Sequence, residues 1–444
     1  MGQRGHEFNS LRAPAPRAYD TRRAARAGQP PSRQPGAATG FREDFRLENP
    51  DTFRADVAKW LEENCPPSMR KPMGSEEEAN WGGRRKQYAN PEEKLWLDRM
   101  AARGWTCPTW PKEYGGGGLT AAQARVLADE LRKIRARPPL ISFGITMLGP
   151  VLLEYGNEEQ KREHLPKIVR GEIRWCQGYS EPGAGSDLAG LQTRAEDKGD
   201  HYLVNGQKIW TSYANYADWI FCLVRTDPNA AKHDGISFLL FDMESPGVSV
   251  SPIKLISGSS PFCQTFFQDV KVPKKNLVGV KNGGWTIAKK LLQHEREMIG
   301  GMGFGLAASG GGATMEQLAK EYCGDDSGRI ADPVIRSEVV QHLMDQRVFA
   351  TTVRRSVEEA KAGQGPGAAS SMFKLYGTEM NKRRYELLVK ILGSQALGWE
   401  GSGFSPRELA TTREWLRSKG NSIEGGTSEV QLNIIAKRVL GLPD

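Results

Sequence analysis

The feature that most constrains this chain is a double change of hydrophobic period. Apolar residues recur every three to four positions up to about Ile173. They shift to short β-branched and aromatic runs from Trp175 to about Val272, then return to the helical period from Gly283 to the end. That order is not a string of βαβ units, so a doubly wound dinucleotide fold is excluded on architecture. It predicts an α+β multidomain protein with an N-terminal all-α domain over 41–173. A small antiparallel β domain, sandwich or barrel, follows over 174–275, and a bundle of long helices over 276–444.

Local signals place the elements. Asn49-Pro50-Asp51 and Asn90-Pro91-Glu92 read as helix starts, the second helix carrying Leu95, Trp96 and Met100 on one face. Thr120 caps a third, and Leu148–Tyr155 and Glu158–Val169 are two more. The Cys65–Asn90 stretch reads as a loop with partial helix. Gly115–Gly118 lacks a following Lys-Ser/Thr and reads as a flexible turn instead of a phosphate loop. In the middle domain, Asn205-Gly206 between Tyr202–Val204 and Lys208–Trp210 predicts a hairpin. Strands are predicted at Trp219–Arg225, Ile236–Asp242, Val248–Pro252 and Phe262–Val272. Trp285–Leu306, Pro333–Ala362, Ala368–Leu392, Pro406–Arg417 and Ser428–Leu440 read as helices. Gly303-x-Gly305-x-x-Ala308 continues a helix instead of opening one after a strand, so it reads as close helix packing.

The net charge of +8 raises the question of nucleic acid, and its distribution answers it. The first forty residues hold seven arginines against Glu7 and Asp20, leaving the other 404 residues at +3. A near-neutral body without a Lys/Arg run does not track phosphates. With five prolines and few large apolar residues, 1–40 reads as a disordered basic extension. It is Arg-rich and acid-poor like a transit peptide, but has no apolar core of a secretory signal. No eighteen-residue apolar run exists, so no membrane span is expected. Six scattered cysteines without CxxC spacing and six dispersed histidines predict a reduced cytoplasmic protein with no metal site.

The stretch with most chemical content is Ser180-Glu-Pro-Gly-Ala-Gly-Ser-Asp187. Glycines and a proline among small hydroxyl residues bend the backbone and bare its N–H groups. Such a surface approaches a flat or anionic ligand closely.

Three separated motifs carry a family resemblance. They are Trp175-Cys-Gln-Gly-Tyr-Ser-Glu-Pro-Gly-Ala-Gly-Ser-Asp187, Val204-Asn-Gly-Gln-Lys-Ile-Trp-Thr-Ser212, and Glu424-Gly-Gly-Thr-Ser-Glu-Val-Gln431 with Arg438-Val-Leu-Gly-Leu-Pro443. In this order the chain from about Phe41 to Asp444 resembles the acyl-CoA dehydrogenase family. The resemblance implies FAD as cofactor, an acyl-CoA substrate oxidised to the 2-enoyl-CoA, and fatty acid β-oxidation as the setting. It also implies an electron-transfer flavoprotein or similar acceptor, and a homo- or hetero-oligomer. In that reading Gln177, Tyr179, Ser180 and Ser186 lie along the flavin, with Ser186 shared with CoA. Trp210, Thr211 and Ser212 pack against the ring. Thr427 and Glu429 lie near the adenylate part, and Arg296 near CoA. Glu181, the tempting carboxylate of the loop, has no base role in the family.

The base falls on one of two carboxylates. Family members with a C-terminal Tyr-Glu-Gly-Thr align so that Glu424 takes the tyrosine's place and Gly425 the base's, beside the substrate. A branch resembling isovaleryl-CoA dehydrogenase carries the base in Leu-x-x-Glu-Arg, which here is Leu292-Gln-His-Glu295-Arg296, and Glu295 is preferred. Either would serve if buried beside the flavin. Two departures bear on the flavin pyrophosphate. The family's Arg-Lys-x-Phe-Gly stretch is replaced by Asp325–Pro333, with Arg336 near the family's glutamine position, so those contacts fall to Arg329 or to a different partner chain. Its Gln-x-x-Gly-Gly becomes Lys390-Ile-Leu-Gly393-Ser394. Other readings on the same fold are an acyl-CoA oxidase, a flavin monooxygenase, or a non-catalytic subunit lending contacts to a paired chain.

Overall fold

Capped helices open the described chain. In a computed structural model, residues 50–73, 78–88, 90–292, 313–359 and 369–443 are described, all within one unit spanning Asn49–Asp444. Helices α1 (Pro50–Asn64), α2 (Pro91–Ala102), α3 (Ala121–Lys133), α4 (Gly149–Tyr155) and α5 (Glu158–Val169) form the first layer. Asn90 accepts from Glu92 N, while Thr120 and Asn157 form reciprocal capping boxes with Gln123 and Gln160. One core joins Phe53, Val57 and Leu61 of α1 to Trp96 and Met100 of α2, Trp105, and Leu127 of α3. On α2 the buried stripe is Trp96, Leu97 and Met100; Leu95, expected inside, is exposed. The face lies one residue further round than the apolar count suggested.

The Trp105–Gly118 segment corrects the expectation of a flexible turn. Trp105, Trp110 and Tyr114 are buried. A Cβ on Gly104 would lie 2.3 Å from the Gly116 backbone, so the glycines are there for close packing. Trp110 belongs to a second core with Leu148, Val151, Leu165 and Ile168 that runs on into the sheet through Trp175, Phe221, Phe238 and Leu240. This continuous core fixes the helices against the strands.

The sheet contains β1 (Trp175–Gly178), β2 (Arg194–Asp197), β3 (His201–Ser212), β4 (Trp219–Arg225), β5 (Ile236–Asp242), β6 (Val248–Ile253), β7 (Phe262–Pro273) and β8 (Leu277–Val278). Their order is β6-β7-β3-β2-β4-β5-β8, with β1 also on β4. Pairings are antiparallel except β1 with β4 and the single β2–β4 contact, which are parallel. The hairpin expected at Asn205-Gly206 is not there. β3 runs straight through, and the β2–β3 turn lies instead at Lys198–Asp200. Gly206 (φ 153°) sits at a register shift against β7, where a Cβ would meet Thr193 at 2.5 Å. Asn205 accepts from Asp269 N at 2.9 Å across the ladder. The extra residue lies on β7, where Gln268 and Asp269 (φ 51°) face Asn205 alone; Asn205 braces that bulge and Gly206 makes room for Thr193.

The C-terminal helices are α6 (284–292 in its described part), α7 (Met315–Cys323), α8 (Pro333–Glu359), α9 (Ala369–Leu392), α10 (Pro406–Ser418) and α11 (Ser428–Ile434). Between α7 and α8 lies a two-stranded hairpin, β9 (Asp325–Asp326) and β10 (Arg329–Ile330). Neither α7 nor this hairpin was anticipated, although Thr314 and Gln317 spell a capping box. The extension 1–40 and the Gly303–Ala308 motif lie outside the described residues. All six cysteines are free thiols, five of them buried. Among the described residues no helix is long and apolar enough to cross a membrane.

Candidate functional site

The site begins where β1 ends. Gln177 is half-buried on that strand, and Tyr179 is buried with its ring edge-on to Phe221 (6.3 Å) and Phe238 (6.4 Å). The chain then folds back on itself. Glu181 and Ala184 exchange two backbone hydrogen bonds of 3.0 Å, so Pro182 and Gly183 form the tip. Beyond Ala184, Gly185, Ser186 and Asp187 are exposed. A Cβ on Gly183 or Gly185 would meet nothing within 4 Å, so the loop presents open backbone.

The loop is anchored from below. Glu181 is buried and pairs with Lys208 Nζ at 2.8 Å; the Lys208 side chain is fully buried. Glu181 also accepts from Gln192 N (2.6 Å) and Thr193 N (2.9 Å), and Lys208 donates to Tyr179 O (3.0 Å). Burial alone would raise the Glu181 carboxyl. Lys208 and the other donors more than offset that and hold it below the usual carboxylate range. Glu181 is therefore an ionised structural group, in keeping with its having no expected base role.

Ile209 N donates to Ser180 O (2.9 Å), which brings β3 alongside the loop. A second register shift falls between Lys208 and Thr211. Trp210 sits in it with φ 60° and 53% of its surface exposed, edge-on to Phe262 at 5.9 Å. A bulky residue at positive φ is strained, and the bulge turns the indole outward where strand alternation alone would not. Thr211 is fully buried and its hydroxyl has no partner among the described residues. Ser212 pairs with Phe262. An exposed indole, adjacent hydroxyls and a bare loop backbone fit the flat, heteroatom-edged flavin that the resemblance implies.

The third motif reaches this edge through one cation. Arg417 of α10 lies over the Phe262 ring at 5.3 Å and pairs with Glu424 at 2.8 Å. Asn421 also donates to Glu424. The Glu424 carboxylate, 31% exposed, is thus committed to neighbours. Gly425 (φ 65°) and Gly426 (φ 91°) carry the chain to Thr427, which caps α11 by accepting from Val430 N, with Glu429 exposed in the first turn. Fully buried Lys374 of α9 underlies this loop and donates to Asn421 O at 3.0 Å.

The remaining expected residues divide. Arg329 is exposed on β10, whose Ile330 packs with Ile391 of α9, two residues before Gly393. No hydrogen bond, ion pair or ring contact among the described residues links Arg329 or Gly393 to the Ser180 loop. Glu295 and Arg296 lie outside the described residues. Among the described residues no group of three His, Cys, Asp or Glu could hold a metal.

Sequence reasoning missed Lys208 and Arg417. Strand alternation carried the first signal, since Tyr202, Val204 and Lys208 all point inward. Arg417 had no local signal, because its partners come from β7 and from the loop after α10.

Comparison with known proteins follows the same three-part order. Residues 48–172, 176–270 and 282–440 match, in turn, the families described as "Acyl-CoA dehydrogenase, N-terminal domain", "middle domain" and "C-terminal domain". The chain is 34% identical over 397 residues to "Acyl-CoA dehydrogenase IpdE1" of Mycobacterium tuberculosis, covering 89% of this chain and 99% of that protein. Among solved structures it resembles the "Tcur3481-Tcur3483 steroid ACAD" with TM-score 0.68 and 30% identity, over 89% of this chain and 97% of that one. It also resembles the "ChsE4-ChsE5 complex from Mycobacterium tuberculosis" with TM-score 0.66 and 30% identity, over 91% of this chain and 100% of that one.

Proposed function

The chain belongs to the acyl-CoA dehydrogenase family, and from that premise we propose which residues carry its reaction and which acyl chains it takes. It is an FAD-dependent oxidoreductase that dehydrogenates an acyl-CoA thioester. FAD, when bound, accepts the β hydrogen as hydride.

The flavin seat is the edge formed by Gln177–Ser186 and Trp210–Ser212. The observation that carries this reading is the Ile209–Ser180 hydrogen bond, which sets the two motifs side by side. Gly425, Thr427 and Glu429 belong to the same site through the Arg417–Phe262 contact. Glu295 is the base that takes the α proton, and Arg296 faces CoA. The pairing of Glu424 with Arg417 supports this choice, because a general base must be free to reach the proton it removes. Anaerobic addition of substrate tests it. Glu424→Gln should still bleach the flavin and Glu295→Gln should not; full bleaching in Glu295→Gln removes that residue as base.

The substrate is a steroid-type acyl-CoA, on the strength of the likeness to the steroid ACAD. In a panel of short, long, branched and steroid-type acyl-CoAs, the steroid type should bleach the flavin fastest. A straight-chain substrate that outpaces it would overturn the assignment. The chain works beside a second, different chain, as in the ChsE4-ChsE5 complex. An α8 stripe of exposed Val340, Met344 and Val348 offers the surface, and the altered Arg329 and Gly393 stretches leave pyrophosphate contacts for a partner to supply. Electrons pass on to an electron-transfer flavoprotein or similar acceptor.

A further inference from the structure

Glu181 and Lys208 form an ion pair withdrawn from water, with side-chain exposures of 8% and 0%. Burying two charges is expensive, and replacing such a pair with apolar side chains is often neutral or stabilising. Stability alone therefore gives little reason for it. Its location gives a better one. Glu181 belongs to the Ser180–Asp187 loop, and Lys208 is the last ladder residue before the bulge that turns Trp210 outward. One ammonium donates at once to the Glu181 carboxylate (2.8 Å) and to the carbonyl of Tyr179 (3.0 Å), which lies between β1 and the loop. The other Glu181 acceptor positions take Gln192 N and Thr193 N, and Thr193 is the residue packed against Gly206 at the first register shift of β3 against β7. Three segments, Tyr179–Glu181, Gln192–Thr193 and the strand at Lys208, thus meet on one buried pair.

We propose that Glu181 and Lys208 are positioning residues for the cofactor, a buried pair that holds the Ser180–Asp187 loop and the Trp210 bulge at the separation the flavin ring requires. The inference rests on the flavin-seat reading above. Neither group reacts; each acts through the backbone it fixes. An electrostatic and hydrogen-bonded clamp is directional where apolar packing is not. It therefore specifies one spacing of the two ring-facing segments, a use for which buried polar pairs are suited.

The test uses purified holoenzyme. FAD release on dilution is followed by flavin fluorescence, with the flavin absorbance spectrum and melting midpoint recorded beside it. Glu181→Gln and Lys208→Met should each speed FAD release by roughly tenfold or more and shift the flavin absorbance band. Lys208→Arg should restore part of the retention. The double variant Glu181→Gln/Lys208→Met leaves no unpaired buried charge. It should recover the melting midpoint while FAD release stays fast and the band stays shifted. Wild-type release and spectrum in the folded double variant, or in either folded single variant, would overturn the proposal and leave the pair a plain core contact. Trp210→Ala, measured in parallel, separates the two readings. If it releases FAD faster while the ion-pair variants do not, only this inference falls. If it too is unchanged, the flavin-seat reading falls.

Discussion

Single residues in this protein are set by what they are packed against, and two of them predict measurable effects. Gly206 combines φ 153° with a Thr193 contact that leaves no room for a Cβ. Gly206→Val should destabilise the protein by about 2 kcal/mol or more, read as a lower urea midpoint. His164 is buried between the Trp175 and Trp219 rings, at 5.3 and 5.2 Å. Burial drives its pKa down from 6.5 to about 4; Glu163 opposes this, while Lys167 and Lys275 reinforce it. The sign follows from which state binds the proton. Below pH 6.5 the unfolded chain protonates while the folded one stays neutral, so stability is lost as pH falls from 6.5 toward 4. Between pH 6.5 and 5 the urea midpoint should fall more steeply for the wild type than for His164→Leu. Equal slopes would assign the loss to other groups. Apolar residues such as Trp96 and Met100 were legible as core from spacing alone. Lys208 was not singled out, because a buried lysine becomes intelligible only once its carboxylate partner is in place.

At the scale of elements, local chemistry located strands and helices well and their connections poorly. β4 and β5 fall where β-branched and aromatic runs put them, since those runs exclude other periods. The Asn-Gly pair was read as a hairpin because the dipeptide is a strong turn signal; only the partner strand shows that Asn205 instead braces a bulge on β7 and that Gly206 makes room for Thr193. The Cys65–Asn90 stretch hid a second function. Its Trp81–Arg85 segment clamps helices to sheet, with Arg84 N and Arg174 N both donating to Asp218 Oδ2, at 2.9 and 2.8 Å. Arg174 in turn lies over the rings of Trp81, Tyr213 and Tyr216. Asp218→Ala removes the acceptor that two backbone amides share. It should cost about 2 kcal/mol and open this segment, so that trypsin cuts after Arg84 or Arg85 in the variant well before it cuts the wild type. Equal cutting would mean that the remaining contacts hold the segment by themselves.

At the scale of the whole molecule, the bundle meets the sheet where Arg417 covers Phe262 and where Trp399 closes on Gly258. The proposed assembly surface lies on the bundle's other features, the exposed stripe of α8. Met344→Glu places a charge in its middle and should lower the sedimenting mass of the assembly while leaving the helical circular dichroism unchanged; an unaltered mass would exclude the stripe as an interface. The sequence by itself determined the order of the three domains and the bare, small-residue backbone of the Ser180 loop. Both depend on period and on local backbone freedom, which neighbours in the chain specify. Tertiary structure decided what those motifs are fastened to: Glu181 to Lys208, Glu424 to Arg417, Asp218 to two distant amides. Each joins segments far apart in sequence, and the preference of a buried charge for one partner over another has no expression until folding has removed the water between them.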